Sequence, residues 1–171
     1  MAGRPKRGAE LIEEGIRRAE ATRVLLLAMM GAEPVERQLR VVIALEREAA
    51  LRYLSWSDES SGAESEGLLA CARREEEVAR LIEDAAFPGQ PLDASVAELV
   101  GRAVVLFQEM YAGLSRDEQM AAQAPSERIG AGLWASLRSS DPGSPLAAVY
   151  EQAQKLEEES ADYLDALLAL R

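Results

Sequence analysis

The sequence predicts an all-α protein, an antiparallel (up-down) bundle of four to five long helices joined by mostly short turns. Apolar residues recur at steps of three and four along most of the chain, which is the period of a helix packed on one side. No long stretch alternates with the period of two that marks a strand. Because short turns force consecutive helices to run up and down beside each other, this pattern favours an antiparallel bundle. With 171 residues, 48% of them hydrophobic, the chain is long enough for one such domain and too short to expect two.

The first two predicted helices cover residues 9–31 and 34–57. Arg23 interrupts the apolar stripe of the first helix, and Pro34 separates the two because proline is tolerated at a first helical position. The second helix has the clearest stripe in the chain, and Glu46 stands at its centre. The apolar members of that stripe are Leu39, Val42, Ile43, Ala49, Ala50 and Tyr53.

The third predicted helix covers residues 63–86, and Glu75 occupies the middle step of its apolar stripe. A turn of serine and glycine precedes it, and Ser61 with Glu64 has the spacing of a capping box. A fourth helix is predicted for residues 95–120. The second and third helices therefore each carry one glutamate set into an apolar face.

Residues 121–145 are rich in alanine, serine, glycine and proline, and they predict a loose insert within a single domain of residues 9–171. Ser144 and Pro145 then predict the cap and first turn of a last helix that continues to the C-terminus. Within the insert, four apolar residues form a short amphipathic segment that we expect to act as a lid or to bind a partner. These residues are Ile129, Leu133, Trp134 and Leu137.

Residues 1–8 predict a disordered basic arm. Arg4, Lys6 and Arg7 precede every acidic residue, so the net charge of −11 becomes −14 once these three positive charges are set aside. A body that acidic repels phosphate backbones, and it is not expected to bind nucleic acid through its general surface. The five residues that begin at Gly3 resemble the core of an AT-hook, which lays arginines in the minor groove of DNA. The arm is therefore the one candidate contact with DNA.

The composition argues against several chemistries. The chain has no histidine, which removes the commonest general base and the commonest transition-metal ligand together. Its lone cysteine, Cys71, excludes an internal disulfide and a multi-cysteine zinc site within one chain. The best apolar run, from Val24 to Met30, is too short to span a bilayer, and no signal-peptide core follows the basic start. We therefore expect a cytoplasmic protein with no membrane association. The lack of histidine favours a protein that is not an enzyme.

Glu46 and Glu75 are predicted to face each other across the core. Measured from a turn centred near residue 61, Glu46 lies 15 residues before the turn and Glu75 lies 14 residues after it. At about 1.5 Å of rise per residue, the two side chains sit at nearly one height. Burying two unpaired carboxylates would cost several kcal/mol each, so a cation, a metal, a shared proton or water must compensate them.

Three arrangements would satisfy the two carboxylates. Arg23 is predicted to lie within one helical turn of the same level, so an ion-pair cluster of Arg23 with Glu46 and Glu75 is one of them. A slight rotation of a helix that leaves the carboxylates in contact with water is the second. A metal bound in the core of the bundle is the third.

The third arrangement draws on a similarity carried by four segments of the chain. They are Ala44-Leu45-Glu46 with Ala49, Ala50 and Tyr53; residues 74–82 (REEEVARLI); Gln108-Glu109 with Tyr111; and Glu157-Glu158-Glu159 with Tyr163. In these segments the chain resembles the ferritin-like superfamily, rubrerythrin-type members in particular. In that family two helices each supply a glutamate and two others supply Glu-x-x-His, and together these residues hold two irons.

The resemblance implies that Glu46 is the glutamate of the first helix and that Glu75 is the acid of the first Glu-x-x-His. Val78 then stands at the histidine position. Glu109 and Glu158 are the carboxylates that it implies on the later helices. The pairs on offer in the last helix are Glu157 with Ser160, Glu158 with Ala161, and Glu159 with Asp162, none of which contains a histidine.

Oxygen-only ligands favour hard ions such as Mn²⁺, Mg²⁺ or Ca²⁺, so a divalent metal ion is the one cofactor to consider. The residues leave three functions open. The leading one is a non-catalytic bundle that acts by self-association or by binding a protein partner. The second is a ferritin-like metal-binding or oxidoreductase protein with a carboxylate-only or degenerate di-metal site. The third is a DNA-associated assembly factor that uses the N-terminal arm.

Overall fold

The computed structural model describes residues 8–171, which form six helices and no strand. The all-α prediction is confirmed, and the contacts between helices fit a bundle, whereas the predicted number of four to five helices is not confirmed. Within residues 8–171, no helix is both long enough and apolar enough to cross a lipid bilayer. The helices are α1 (Gly8–Met30), α2 (Val35–Asp58), α3 (Gly62–Ala86), α4 (Ala94–Tyr111), α5 (Arg116–Ser140) and α6 (Ala147–Ala169).

The basic residues of the predicted N-terminal arm, Arg4, Lys6 and Arg7, lie outside the described residues. The DNA contact expected of them stays a prediction.

Four of the helices share one core. The α2 helix packs on α3, α5 packs on α6, and α3 packs on α6, while α1 and α4 lie against α5 and α2. The helices that share the core are α2, α3, α5 and α6, and each of them contributes to two apolar clusters. One cluster is built around Tyr53, Leu68 and Leu164, and the other around Ile43, Ile82 and Trp134. Along each helix a short stretch of chain separates the residues of one cluster from those of the other. That middle level of the core holds the site described below.

The α5 helix occupies the region for which the sequence predicts a loose insert. It is a continuous helix of 25 residues, even though Pro125 lies inside it. Its small residues serve close packing: Ala121, Ala122 and Ala124 are buried, and a Cβ atom on Gly15 of α1 would overlap the carbonyl oxygen of Ala121. The alanine and glycine content of this segment therefore reflects helices in close contact, and a small residue conveys little of the apolar periodicity that identifies a helix.

Local hydrogen bonds define where two of the helices begin. Asp93 caps α4 by accepting hydrogen bonds from the backbone N–H groups of Ser95 and Val96. Ser115 and Glu118 form a complete capping box at the start of α5. The capping box predicted from Ser61 and Glu64 is absent at α3, because Ser61 makes no side-chain cap bond there.

Candidate metal centre

Four glutamates meet at the middle level of the shared core, one from each of α2, α3, α5 and α6. They are Glu46, Glu75, Glu127 and Glu157, with relative exposures of 8%, 0%, 2% and 2%. One carboxylate oxygen from each of Glu46, Glu75 and Glu157 lies within 4.8 Å of the other two. Within residues 8–171, no arginine or lysine forms an ion pair with any of the four. The cluster therefore concentrates negative charge, or the protons that neutralise it, in the centre of the protein.

The carboxylate of Glu75 is only half satisfied. Its Oε1 atom accepts a hydrogen bond of 2.8 Å from the Ser160 hydroxyl. Its Oε2 atom is buried and has no hydrogen-bond partner. A buried oxygen without a partner costs free energy, so this atom is where a further group would be most stabilising.

Glu157 is held by α5. Its Oε1 atom accepts a hydrogen bond of 3.1 Å from the indole N–H of Trp134, which is itself fully buried. Gly130 provides the room for this carboxylate, since a Cβ atom at that position would lie 2.9 Å from Oε2 and 3.1 Å from Oε1 of Glu157. Glycine at position 130 is thus required by the close approach of a carboxylate to the helix backbone.

Glu127 is oriented by a chain of buried polar side chains. The Tyr53 hydroxyl donates to its Oε1 atom at 2.8 Å, and the Gln123 amide donates to the same oxygen. The Tyr111 hydroxyl in turn donates to the amide oxygen of Gln123. Because two donors converge on one oxygen of Glu127, the orientation of its carboxylate is fixed, as is common for groups behind a metal site.

Burial dominates the electrostatics of the cluster. The pKa of Glu46 is raised from an ordinary value of 4.5 to about 8; loss of hydration is the largest cause, the nearby charge of Glu127 adds to it, and the closeness of Glu157 and Glu75 opposes it. Burial also raises the pKa values of Glu75 and Glu157 well above their ordinary range, with neighbouring carboxylates adding to the effect. These raised pKa values favour the protonated forms of Glu46, Glu75 and Glu157 near neutral pH when no cation is bound.

Arg23 does not join this cluster. Its Nε atom donates to Glu20 at 2.8 Å, so the predicted ion-pair cluster of Arg23 with Glu46 and Glu75 is not formed. The height predicted along the helix axis does not bring the groups together because α1 packs against α5 and α4 and lies outside the four-helix core.

The carboxylates implied on the later helices lie elsewhere. Glu109 is exposed on α4, beside the surface groove between α1 and α4, and Glu158 is exposed on α6, where it accepts a hydrogen bond from Gln154. Glu127 and Glu157 stand in the core in their place. The spacing of buried residues contains the missed signal: Ala153, Glu157, Ala161 and Leu164 recur at helical steps, as do Gln123, Glu127, Ala131 and Trp134.

The residues predicted to bind a partner do not form an exposed surface. Trp134 is fully buried, and Leu133 and Leu137 are partly buried against the apolar cluster that contains it. Ile129 is partly buried against a separate cluster between α1, α2, α4 and α5. Val78, at the position where the resemblance expects a histidine, is buried among apolar residues.

A cleft connects the cluster to the surface. It has a volume of about 430 Å³, lies between α1, α2, α4 and α5, and includes Glu46 and Glu127 in its lining. Two of the four carboxylates, those of Glu46 and Glu127, therefore line a cavity that opens on one side of the molecule.

No protein-family model, curated protein or solved structure matches this chain. What the fold and the site define is an all-α protein with a buried cluster of four carboxylates that no basic side chain of residues 8–171 neutralises. Its function has to be inferred from that cluster.

We expect the metal-free protein to lose stability as the pH rises. A raised pKa means that the folded state holds a proton that the unfolded state has released, from about pH 4.5 up to about pH 8 for Glu46. The free energy of unfolding is then largest below this interval and falls across it. Thermal unfolding in EDTA, followed by circular dichroism from about pH 5 to about pH 9, measures the trend.

The matched variants are Glu75→Gln and Glu158→Gln. The first removes one buried acid with little change of shape, so it is expected to flatten the pH dependence and to raise the melting temperature at high pH. The second alters an exposed acid and is expected to behave like the wild type. A wild-type melting temperature that increases with pH over this range would contradict the interpretation.

Proposed function

We propose that this protein binds a divalent metal ion in the core of a ferritin-like, up-and-down bundle of α2, α3, α5 and α6. The observation that carries the proposal is the approach of three buried carboxylates to within 4.8 Å of one another with no basic side chain between them. Carboxylates in such a position need either protons or a cation. A divalent cation would neutralise two of the charges and bind their oxygens directly.

The donor set fits a hard cation. Glu46, Glu75 and Glu157 would supply carboxylate oxygens, and the unpartnered Oε2 atom of Glu75 provides a buried ligand position. Glu127 has one oxygen engaged by Tyr53 and Gln123, which leaves its second oxygen for the same purpose. Carboxylate oxygens without nitrogen or sulfur favour Mn²⁺, Mg²⁺ or Ca²⁺.

The arrangement of glutamates supports the resemblance to the ferritin-like superfamily. One carboxylate comes from each of four helices. Two of these residues, Glu75 and Glu157, stand on the helices where the ferritin-like pattern has the glutamate of a Glu-x-x-His motif. The third residue after each is Val78 or Ser160 in place of histidine. Ser160 uses its hydroxyl to bind Glu75 across the core, so its position contributes to the site without a nitrogen ligand. The proposal is therefore one of metal binding, and an oxidoreductase activity is not part of it.

Self-association is a second candidate, because α1 and α4 expose apolar side chains beside each other. Leu25 of α1 has a relative exposure of 53%, and Val105 of α4 has 52%. Leu25 and Val105 line one groove between the two helices. Contact with a second copy would remove this apolar area from water.

The metal proposal predicts that the protein, once stripped with a chelator, binds Mn²⁺ in isothermal titration calorimetry. Glu75→Gln and Glu157→Gln are expected to weaken binding at least about tenfold, because each removes a negative ligand. Glu109→Gln and Glu158→Gln change exposed acids and are expected to retain wild-type affinity. The affinity of the wild type should rise with pH up to about 8, since binding displaces the proton of Glu46. Equal effects of all four substitutions would indicate nonspecific attraction to an acidic surface.

Gly130→Ala tests the geometry of the site without removing a ligand. The added methyl group would meet the carboxylate of Glu157, so Mn²⁺ affinity is expected to fall about tenfold. Gly132→Ala is the matched control on the same helix, because a Cβ atom there has no neighbour within 4 Å. Both substitutions favour helix formation by up to about 1 kcal/mol, and circular dichroism of the two variants separates a loss of affinity at position 130 from unfolding caused by the added contact. Unchanged affinity in Gly130→Ala would place the cation away from Glu157.

The association candidate predicts a native mass above that of one chain in size-exclusion chromatography with light scattering. Val105→Glu puts a charge into the apolar surface of α1 and α4, and it is expected to give monomers. Leu51→Glu, at a residue of α2 that is 58% exposed, is the control and should leave the mass unchanged. A wild-type protein that stays monomeric at every concentration tested would rule this candidate out.

A further inference from the structure

The cleft beside the carboxylates has a mouth and a floor. Leu27, Gly132 and Ser136 line it and are exposed, so they mark the side that opens to solvent. Glu46 and Glu127 line it as well and are buried, so they mark the inner end. A molecule that entered between α1 and α5 would therefore reach the proposed metal site from this side.

Between mouth and floor, the walls of the cleft are mainly apolar, with Thr22, Gln123 and Ser126 as polar side chains among them. The volume of about 430 Å³ lies within the range of small-molecule sites in proteins, which are mostly lined by apolar side chains. The main wall residues are Ala19, Leu26, Met30, Val42, Leu45 and Leu133.

The charged side chains that line the cleft have partners other than the ligand. Arg23 stands near the mouth and is already paired with Glu20 at 2.8 Å. Glu46 and Glu127 at the floor would be engaged by the cation of the proposed site, which offsets part of their charge. A negatively charged ligand would therefore find no unpaired basic side chain in this lining, and a positively charged one would compete with the metal for the same carboxylates.

We infer that this cleft binds an uncharged, mainly apolar small molecule and holds it next to the metal-binding carboxylates. The inference rests on the proposed function, because the bound cation is what withholds the floor carboxylates from a positively charged ligand. It deepens that function by naming the class of molecule that would share the site with the metal.

The test uses N-phenyl-1-naphthylamine, an uncharged dye whose fluorescence increases in apolar surroundings. It is titrated into the full chain loaded with Mg²⁺ or Ca²⁺, whichever binds more tightly in calorimetry. Gly132→Phe places a ring at the mouth of the cleft, where a Cβ atom meets nothing within 4 Å. Gly101→Phe, at a glycine with equal room, places the same ring in the groove between α1 and α4.

We expect Gly132→Phe to weaken dye binding at least about tenfold while metal affinity stays at the wild-type value. Gly101→Phe should leave both unchanged. Ser136→Phe, at the same mouth, repeats the block if the first variant does not fold, as judged by circular dichroism. Among competitors of one chain length, decan-1-ol should displace the dye more effectively than decanoate or decylammonium.

Each contrary outcome has a separate meaning. A protein that binds metal but not the dye overturns the inference and leaves the proposed function standing. Loss of dye binding in Gly101→Phe assigns the dye to the surface groove, and preferred displacement by either ion overturns the assignment of an uncharged ligand. If no metal binds, the proposed function fails. The dye is then titrated into the metal-free protein, and an affinity that is unchanged in Gly132→Phe overturns the inference that the cleft binds the dye.

Discussion

The burial of four carboxylates at one level of the core is the constraint on which the rest of the structure depends. Glu46, Glu75, Glu127 and Glu157 come from four helices, and their burial is compatible with a stable fold only if their charges are compensated. The apolar clusters on both sides of this level fix the register of the helices and thereby hold the carboxylates together. A metal ion bound there would bind the folded state alone, so occupancy and stability would be coupled.

The hydrogen-bond donors around the cluster are uncharged. Tyr53, Gln123, Trp134 and Ser160 each donate to a carboxylate oxygen, and together they orient the side chains without neutralising them. An arginine in any of these positions would have turned the cluster into a closed ion pair. Because these donors are neutral, they leave the charges of the carboxylates unpaired, and this separates the core from a structural salt bridge.

The sequence predicted the α-class of the fold and two of the four carboxylates, for a physical reason. Glu46 and Glu75 interrupt apolar stripes on helices joined by a short turn, so counting residues from the turn is enough to pair them. Glu127 was missed because the stripe of α5 consists largely of alanine, which packs closely but carries a weak periodic signal. The choice of Glu158 over Glu157 was an error of one position, which rotates a side chain from the core to the surface of a helix. Arg23 could not be placed from its height alone, since height does not specify which side of the bundle a helix occupies.

The hydrogen bond from Trp134 to Glu157 gives the molecule an internal optical reporter. Its indole ring stacks on Tyr150, with ring centroids 5.8 Å apart, and reaches the carboxylate cluster directly. The other tryptophan, Trp56, donates instead to Gln119 in a different part of the core. Because the emission of an indole depends on the charges beside it, Trp134 would respond to a change of charge in the cluster, whereas Trp56 lies away from it. The state of the centre can therefore be followed without attaching any label.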